Sequence, residues 1–201
     1  MPLKIGFLAS HNGSSMRAIV AAIAERRLDG EARLAISNNR ESPALAFARE
    51  HGIPALHISR TRAGGDFECD RAIVDALEQH GVDLVVLSGY MRKLGPETLS
   101  RYRGRILNIH PGPLPKFGGQ GMYGAHVHEA VIASGEPVSG ITIHLVDEQY
   151  DQGPVIVRRD VPVEQGDTAE TLAARIQALE PAFFVETLQQ IAAGALVLPQ
   201  S

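Results

Sequence analysis

The chain has a single cysteine, Cys69, no tryptophan, and only 5% aromatic residues in 201. One cysteine excludes an intrachain disulfide and a thiolate-rich metal site, and it fits a reducing compartment. Basic charge is also scarce: 19 Lys and Arg stand against 23 Asp and Glu, for a formal net charge of -4. No broad positive field is therefore available to hold a nucleic-acid backbone. No segment reaches the roughly 18 consecutive apolar residues of a membrane span, and the N-terminus enters a short strand-like run at Leu3 in place of a signal-peptide pattern. These absences predict a cytoplasmic chain with neither nucleic acid nor membrane as partner. Small anions stay open as ligands, because one phosphate needs only a few backbone N–H groups or a single cation.

What is present is a core. The 44% hydrophobic content suits one compact domain over residues 1–201, with no repeat, low-complexity tract or linker to divide it. Short apolar runs alternate with helical patterns: Leu3 to Ala9, then Met16, Ile19, Val20 and Ile23 at helical spacing, then Leu34 to Ser37. A helix from Pro43 to His51, a strand near Ala55 to Ile58, a helix from about Asp70 to His80 and a strand from Leu84 to Leu87 follow. The class is α/β with a mostly parallel sheet flanked by helices. Such sheets bind ligands beyond the carboxyl ends of their strands, which directs attention to the segments after Ala9, Leu87 and Ile109. The second half predicts a strand Ile106 to Ile109, a Pro/Gly-rich loop to Gly124 and a helix from about His126 to Ser134. A C-terminal hairpin then pairs Ile141 to Leu145 with Val155 to Val163. Asp167 and Glu170 read as a capping box for a long final helix, which Pro181 should kink and Gly194 should end.

Three segments carry candidate chemistry. Ser10-His11-Asn12-Gly13-Ser14-Ser15 joins a strand to an amphipathic helix, where free N–H groups and two hydroxyls can hold a phosphate. The same residues equally suit a plain helix cap and turn, and the loop lacks both GxGxxG spacing and a P-loop lysine. Asn108-Ile109-His110-Pro111 ends an apolar strand, and alternation puts Asn108 and His110 on one face, about 6 to 7 Å apart. An amide donor and an imidazolium together suit a tetrahedral oxyanion, and the imidazole can also carry a proton at neutral pH. A histidine satisfied at a strand end is the plainer alternative. Asp151, in the loop between the hairpin strands, either orients and charges His110 or simply makes a turn before Gly153-Pro154.

Ile106-Leu-Asn-Ile-His-Pro111, with Leu114-Pro-Lys116 after it and Asp151-Gln-Gly-Pro154 later, resembles the signature of the folate-dependent formyltransferases. The resemblance spans nearly the whole chain. It implies a single-domain Rossmann-like fold, with about 1–100 as the phosphate-binding half and about 101–201 as the catalytic half. It also implies 10-formyltetrahydrofolate as co-substrate, no metal, and transfer of the formyl group to an amine by direct attack. The length and the Asn12-Gly13-Ser14 loop further resemble members whose acceptor is glycinamide ribonucleotide, as in de novo purine biosynthesis. Carried over position by position, the catalytic group is Asn108, His110 and Asp151, with His110 as proton donor and Asp151 raising its basicity. Gly13, Ser14, Ser15 and Pro111 fall on the acceptor side, and Glu180 matches a carboxylate that contacts ribose. Met91, Arg92, Lys93, Leu94 and Asn108 fall on the folate side. A homodimer is compatible with the resemblance.

The chain also departs from that pattern. His11 stands where the phosphate loop usually begins with Gly, and Ser15 where Asn is usual. An arginine of relatives falls near Asp66, leaving Arg60 or Arg62 as stand-ins, and the glycine-rich loop 117–124 is long enough to shape a lid. His126 and His128 lie about 200° apart on a helix and so do not share a ligand face. Cys69 has no nearby basic cluster and reads as an ordinary thiol. Rival readings are formyl-folate enzymes acting on sugar nucleotides, methionyl-tRNA or water, and a catalytically silent ligand-binding homologue. A tRNA enzyme would be expected to add a basic C-terminal module and a hydrolase an N-terminal regulatory domain.

Overall fold

The computed structural model describes residues 1–199, so the last two positions of the expected domain lie outside the described residues. Seven strands among them form one sheet: β1 (Leu3–Leu8), β2 (Gly30–Ser37), β3 (Ala55–His57), β4 (Leu84–Leu87), β5 (Ile106–His110), β6 (Val138–Leu145) and β7 (Val155–Pro162). Their order is β3-β2-β1-β4-β5-β6-β7. The first five run parallel, and β6 and β7 close one edge as an antiparallel hairpin. All four residues of β4 are buried, the signature of a parallel strand covered on both faces.

Helices α1 (Ser14–Ala24), α2 (Pro43–Glu50), α6 (Ala125–Ser134) and α7 (Ala169–Ala192) cover one face of the sheet. Met16 and Ile19 of α1, Val127 and Val131 of α6 and Phe184 and Leu188 of α7 meet Phe7, Val86 and Ile143 there, all buried. The other face is covered by α4 (Asp66–Gln79) and α5 (Pro96–Arg101), whose Ile73 and Leu77, with Tyr102 just after α5, pack on Leu8, Val85 and Ile106. Burying a side chain of this size contributes on the order of 1.5–3 kcal/mol. No helix among the described residues is long and apolar enough to cross a membrane.

Several boundaries differ from expectation for identifiable reasons. Helix α4 starts one turn early, at Asp66, and the short α3 (Arg60–Ala63) and α5 carry too few residues to show a helical period. The box that opens α7 uses Thr168 and Thr171, not Asp167 and Glu170: the Thr168 side chain accepts the Thr171 N–H and the Thr171 hydroxyl accepts the Thr168 N–H. Asp167 is spent elsewhere, accepting the Glu164 N–H and the Thr171 hydroxyl and pairing with Arg175. Helix α7 continues through Pro181, which leaves the Gln177 carbonyl without its usual i+4 donor.

Because β2 and β3 lie on one side of β1 and β4 to β7 on the other, the chain reverses direction between β1 and β4. A crevice opens at the carboxyl ends of strands on either side of such a switch point. The loops after β1, β4 and β5 all leave the sheet on this edge.

Candidate active site

A cleft of about 570 Å³ occupies that edge, and it draws its walls from both halves of the chain. Ser15, Met91, Arg92, Asn108, His110, Pro111, Asp151 and Glu180, all anticipated from sequence, line it together. Gly13, Ser14, Lys93 and Leu94 are not among the lining residues. Leu94 is buried in the core beneath α4, and the Lys93 ammonium lies 5.6 Å from the centre of the Tyr150 ring. Gly13 immediately precedes α1 with φ 65, a left-handed conformation that glycine adopts without strain, and Ser14 is the first helical residue. The N–H groups of Ser14 and Ser15 have no partner within the helix and point out of its start. His11, Arg60 and Arg62 are exposed and do not line the cleft, and Arg60 pairs with Asp66 at 3.2 Å. His126 is exposed while His128 is buried, as their opposite helical faces require.

The centre is built on β5 and the hairpin. His110 is only 3% exposed. Its Nε2 donates to the Phe117 carbonyl at 2.7 Å, and its Nδ1 lies 3.6 Å from Asp151 Oδ2. Burial pushes the imidazole below its ordinary pKa, against the opposing pull of the Asp151 carboxylate and the Phe117 carbonyl. The neutral Nε2–H tautomer accounts for both contacts: Nε2 has a hydrogen-bond partner, and Nδ1 sits beyond hydrogen-bond range of the carboxylate until it takes up a proton.

Asp151 holds a left-handed backbone conformation, φ 57, between the two hairpin strands. Its Oδ2 accepts the Gly119 N–H at 3.0 Å, joining the glycine-rich loop to the His110–Asp151 pair. Burial alone would raise this carboxyl, yet His144, His110 and the Gly119 N–H together hold it below the ordinary carboxylate range. Gly153 makes the turn possible, because a Cβ at that position would lie 1.9 Å from the Leu145 carbonyl oxygen. Residues 119–124 of the same loop form one wall of the cleft.

Two histidines add to the site beyond the residues anticipated for it. His144 faces Asn108 directly across the β5–β6 ladder. Its Nδ1 contacts the Leu145 carbonyl at 2.9 Å, and its Nε2 lies 3.1 Å from Asn108 Nδ2 and 3.5 Å from Asp151 Oδ1, bridging amide and acid. Alternation along β6 puts His144 on the face of Thr142, but its opposition to Asn108 is a matter of hairpin register. His128, on the first turns of α6, lines the cleft with neither ring nitrogen hydrogen-bonded among the described residues. Its pKa is lowered by burial and then by His110 nearby. Burial pushes the carboxyl of Glu180, which also lines the cleft, up to about 7.

An amide, a buried imidazole and a carboxylate converging on one cleft can stabilise a developing oxyanion and move a proton. Residues 3–188 match the formyl transferase family. The phosphoribosylglycinamide formyltransferase of Escherichia coli (strain K12) is 35% identical over 200 residues, which cover 99% of this chain and 92% of the relative. The chloroplastic phosphoribosylglycinamide formyltransferase of Vigna unguiculata is 39% identical over 196 residues, 96% of this chain. This chain spans only 62% of that plant relative's length. Glycinamide ribonucleotide transformylase 1 from Symbiobacterium toebii superposes with a TM-score of 0.89 at 36% identity, covering 98% of this chain and 91% of that one. From the family match and the full-length likeness to the bacterial enzymes, the chain belongs to the formyl transferase family.

Proposed function

We propose that the chain transfers the formyl group of 10-formyltetrahydrofolate to the amine of glycinamide ribonucleotide, without a metal and without a covalent enzyme intermediate. The observation that carries this reading is the meeting of Asn108, His110 and Asp151 in a cleft also lined by Ser15, at a helix start suited to phosphate, and by Met91 and Arg92. The acceptor phosphate sits against the N–H groups of Gly13, Ser14 and Ser15, where the helix dipole favours an anion. Glu180 faces the ribose and Pro111 the glycinamide arm. The pterin lies against the backbone from Met91 to Leu94, so that residues 1–100 supply the phosphate side and residues from 101 the chemistry. Cytoplasm suits a chain with one free cysteine.

In the reaction the neutral amine attacks the formyl carbon, and the carbonyl oxygen becomes an oxyanion facing the Asn108 amide. The proton released by the new ammonium passes to His110 Nδ1, and the imidazolium so formed pairs with Asp151 and adds its charge to the oxyanion. That proton then goes to N10 of the folate as the C–N10 bond breaks, which returns His110 to its neutral form. Holding two substrates in line removes up to about 7–11 kcal/mol of the barrier.

The test is to incubate the pure protein with 10-formyltetrahydrofolate, with and without glycinamide ribonucleotide. Release of tetrahydrofolate only when the amine is present is the expected result. Equal release in both reactions identifies a hydrolase instead, and binding without release identifies a catalytically silent homologue.

A further inference from the structure

Two buried serines join the loops that leave β1 and β4 at the switch point. Ser10, 2% exposed, follows β1, and Ser88, 3% exposed, follows β4. The Ser10 N–H donates to the Gly89 carbonyl at 3.0 Å. Its hydroxyl donates to Asn38 Oδ1 at 2.6 Å and accepts the Met91 N–H at 2.8 Å. Ser88 reaches the opposite way: its hydroxyl accepts the N–H of Met16, in the first turn of α1, at 3.0 Å. Neither serine lines the cleft, yet each touches a segment that does.

We propose that Ser10 is a positioning residue, which fixes the Met91–Arg92 wall of the cleft relative to the loop that holds the acceptor phosphate. A hydroxyl has one proton to give, and Asn38 takes it, so the lone pairs of Ser10 are turned toward Met91. Asn38 lies just beyond β2, which makes the assembly a three-strand junction: β2 aims the hydroxyl, β1 carries it and the β4 exit is held by it. Met91 itself is 52% exposed at the mouth of the cleft, with little side-chain packing to hold it. Its N–H bond to Ser10 and the Gly89–Ser10 backbone bond tie this wall to the β1 exit, between the anchors that the packed Tyr90 and the buried Leu94 provide. Ser88 performs a separate task, occupying the Met16 N–H and leaving those of Ser14 and Ser15 for the anion.

The inference rests on the assignment of the Met91 segment to the folate side, and it predicts a specific split in kinetic constants. Removing the hydroxyl in Ser10→Ala should raise KM for 10-formyltetrahydrofolate by about fivefold to tenfold, the effect of one lost hydrogen bond. At saturation kcat should stay within about twofold, as should KM for glycinamide ribonucleotide, because the reacting group and the helix start are untouched. Asn38→Ala, at a position outside the cleft, should shift the folate constant in the same direction by freeing the hydroxyl to rotate. Calorimetric binding of a folate that carries no formyl group reads the same loss without turnover. It therefore separates failure of this inference from absence of transfer by the unaltered chain. An unchanged folate constant in Ser10→Ala, or in Asn38→Ala if Ser10→Ala does not fold, overturns the proposal. Parallel losses in both substrate constants with a lowered Tm also overturn it, since they mark a purely structural serine.

Discussion

His110 Nδ1 and Asp151 Oδ2 are 3.6 Å apart, while His110 Nε2 is held 2.7 Å from the Phe117 carbonyl oxygen. One ring nitrogen is thus committed to the backbone and the other is left for a proton, beside a carboxylate that stabilises the charged ring once it forms. Proton transfer through His110, as proposed, depends on that division of labour.

Asn108→Ala should lose about 100- to 1000-fold in kcat, the cost of removing an oxyanion donor, while retaining the far-ultraviolet circular dichroism of the parent. His110→Ala should fall in the same range or below it. Near-normal turnover in either folded variant would remove that residue from the chemistry.

Asp151→Asn keeps an acceptor for the Gly119 N–H but removes the anion beside Nδ1. Because Asp151 raises the His110 pKa against burial, the limb of the kcat–pH profile that reports His110 should move to lower pH. Turnover at neutral pH should fall by about 100-fold or more. A profile that keeps its shape with a reduced plateau would mean that Asp151 acts only on geometry.

Glu180 gives a pH prediction on stability. Its carboxyl is raised from 4.5 to about 7 by burial, so between those values the folded chain keeps a proton that the unfolded chain has released. Stability therefore falls as pH rises through this window. Glu180→Gln should flatten the dependence and be the more stable protein above pH 7, with a weaker grip on the acceptor. Parallel curves of Tm against pH for the two proteins would contradict the shift.

Gly153→Ala forces a methyl group against the Leu145 carbonyl and should cost more than about 1 kcal/mol of stability while displacing Asp151. Chemical denaturation and turnover should both register it. A stable variant with parental activity would show that the turn relaxes without moving the acid.

Much of this was legible because side-chain direction in a strand follows from alternation alone. Asn108 and His110 share a face for that reason, and the apolar runs of β1, β4 and β5 reported a covered parallel sheet. Asp151 could be joined to them only by resemblance, since its place depends on a left-handed turn that its spacing does not encode. The role of His144 required the register of the β5–β6 pair, and His128 required the way α6 seats against the sheet. The α7 cap stands one residue past its expected place because Asp167 and Thr168 are both good N-cap residues, and only the bonds of Asp167 to Glu164 and Arg175 remove it from competition. Leu94 illustrates a different limit: the resemblance puts only its backbone on the folate side, and the direction of its apolar side chain, into the core, follows from packing that the motif does not encode.

The proposed reaction passes the formyl carbon, with its oxygen, directly between two bound substrates. It is tested most directly by running the reaction in water enriched in oxygen-18 and weighing the formylated glycinamide ribonucleotide by mass spectrometry. The oxyanion held by Asn108 never exchanges with solvent in this account, so the product should carry no label and no free formate should accumulate. Label in the formyl oxygen, or formate released faster than product, would show that water attacks first and would contradict it.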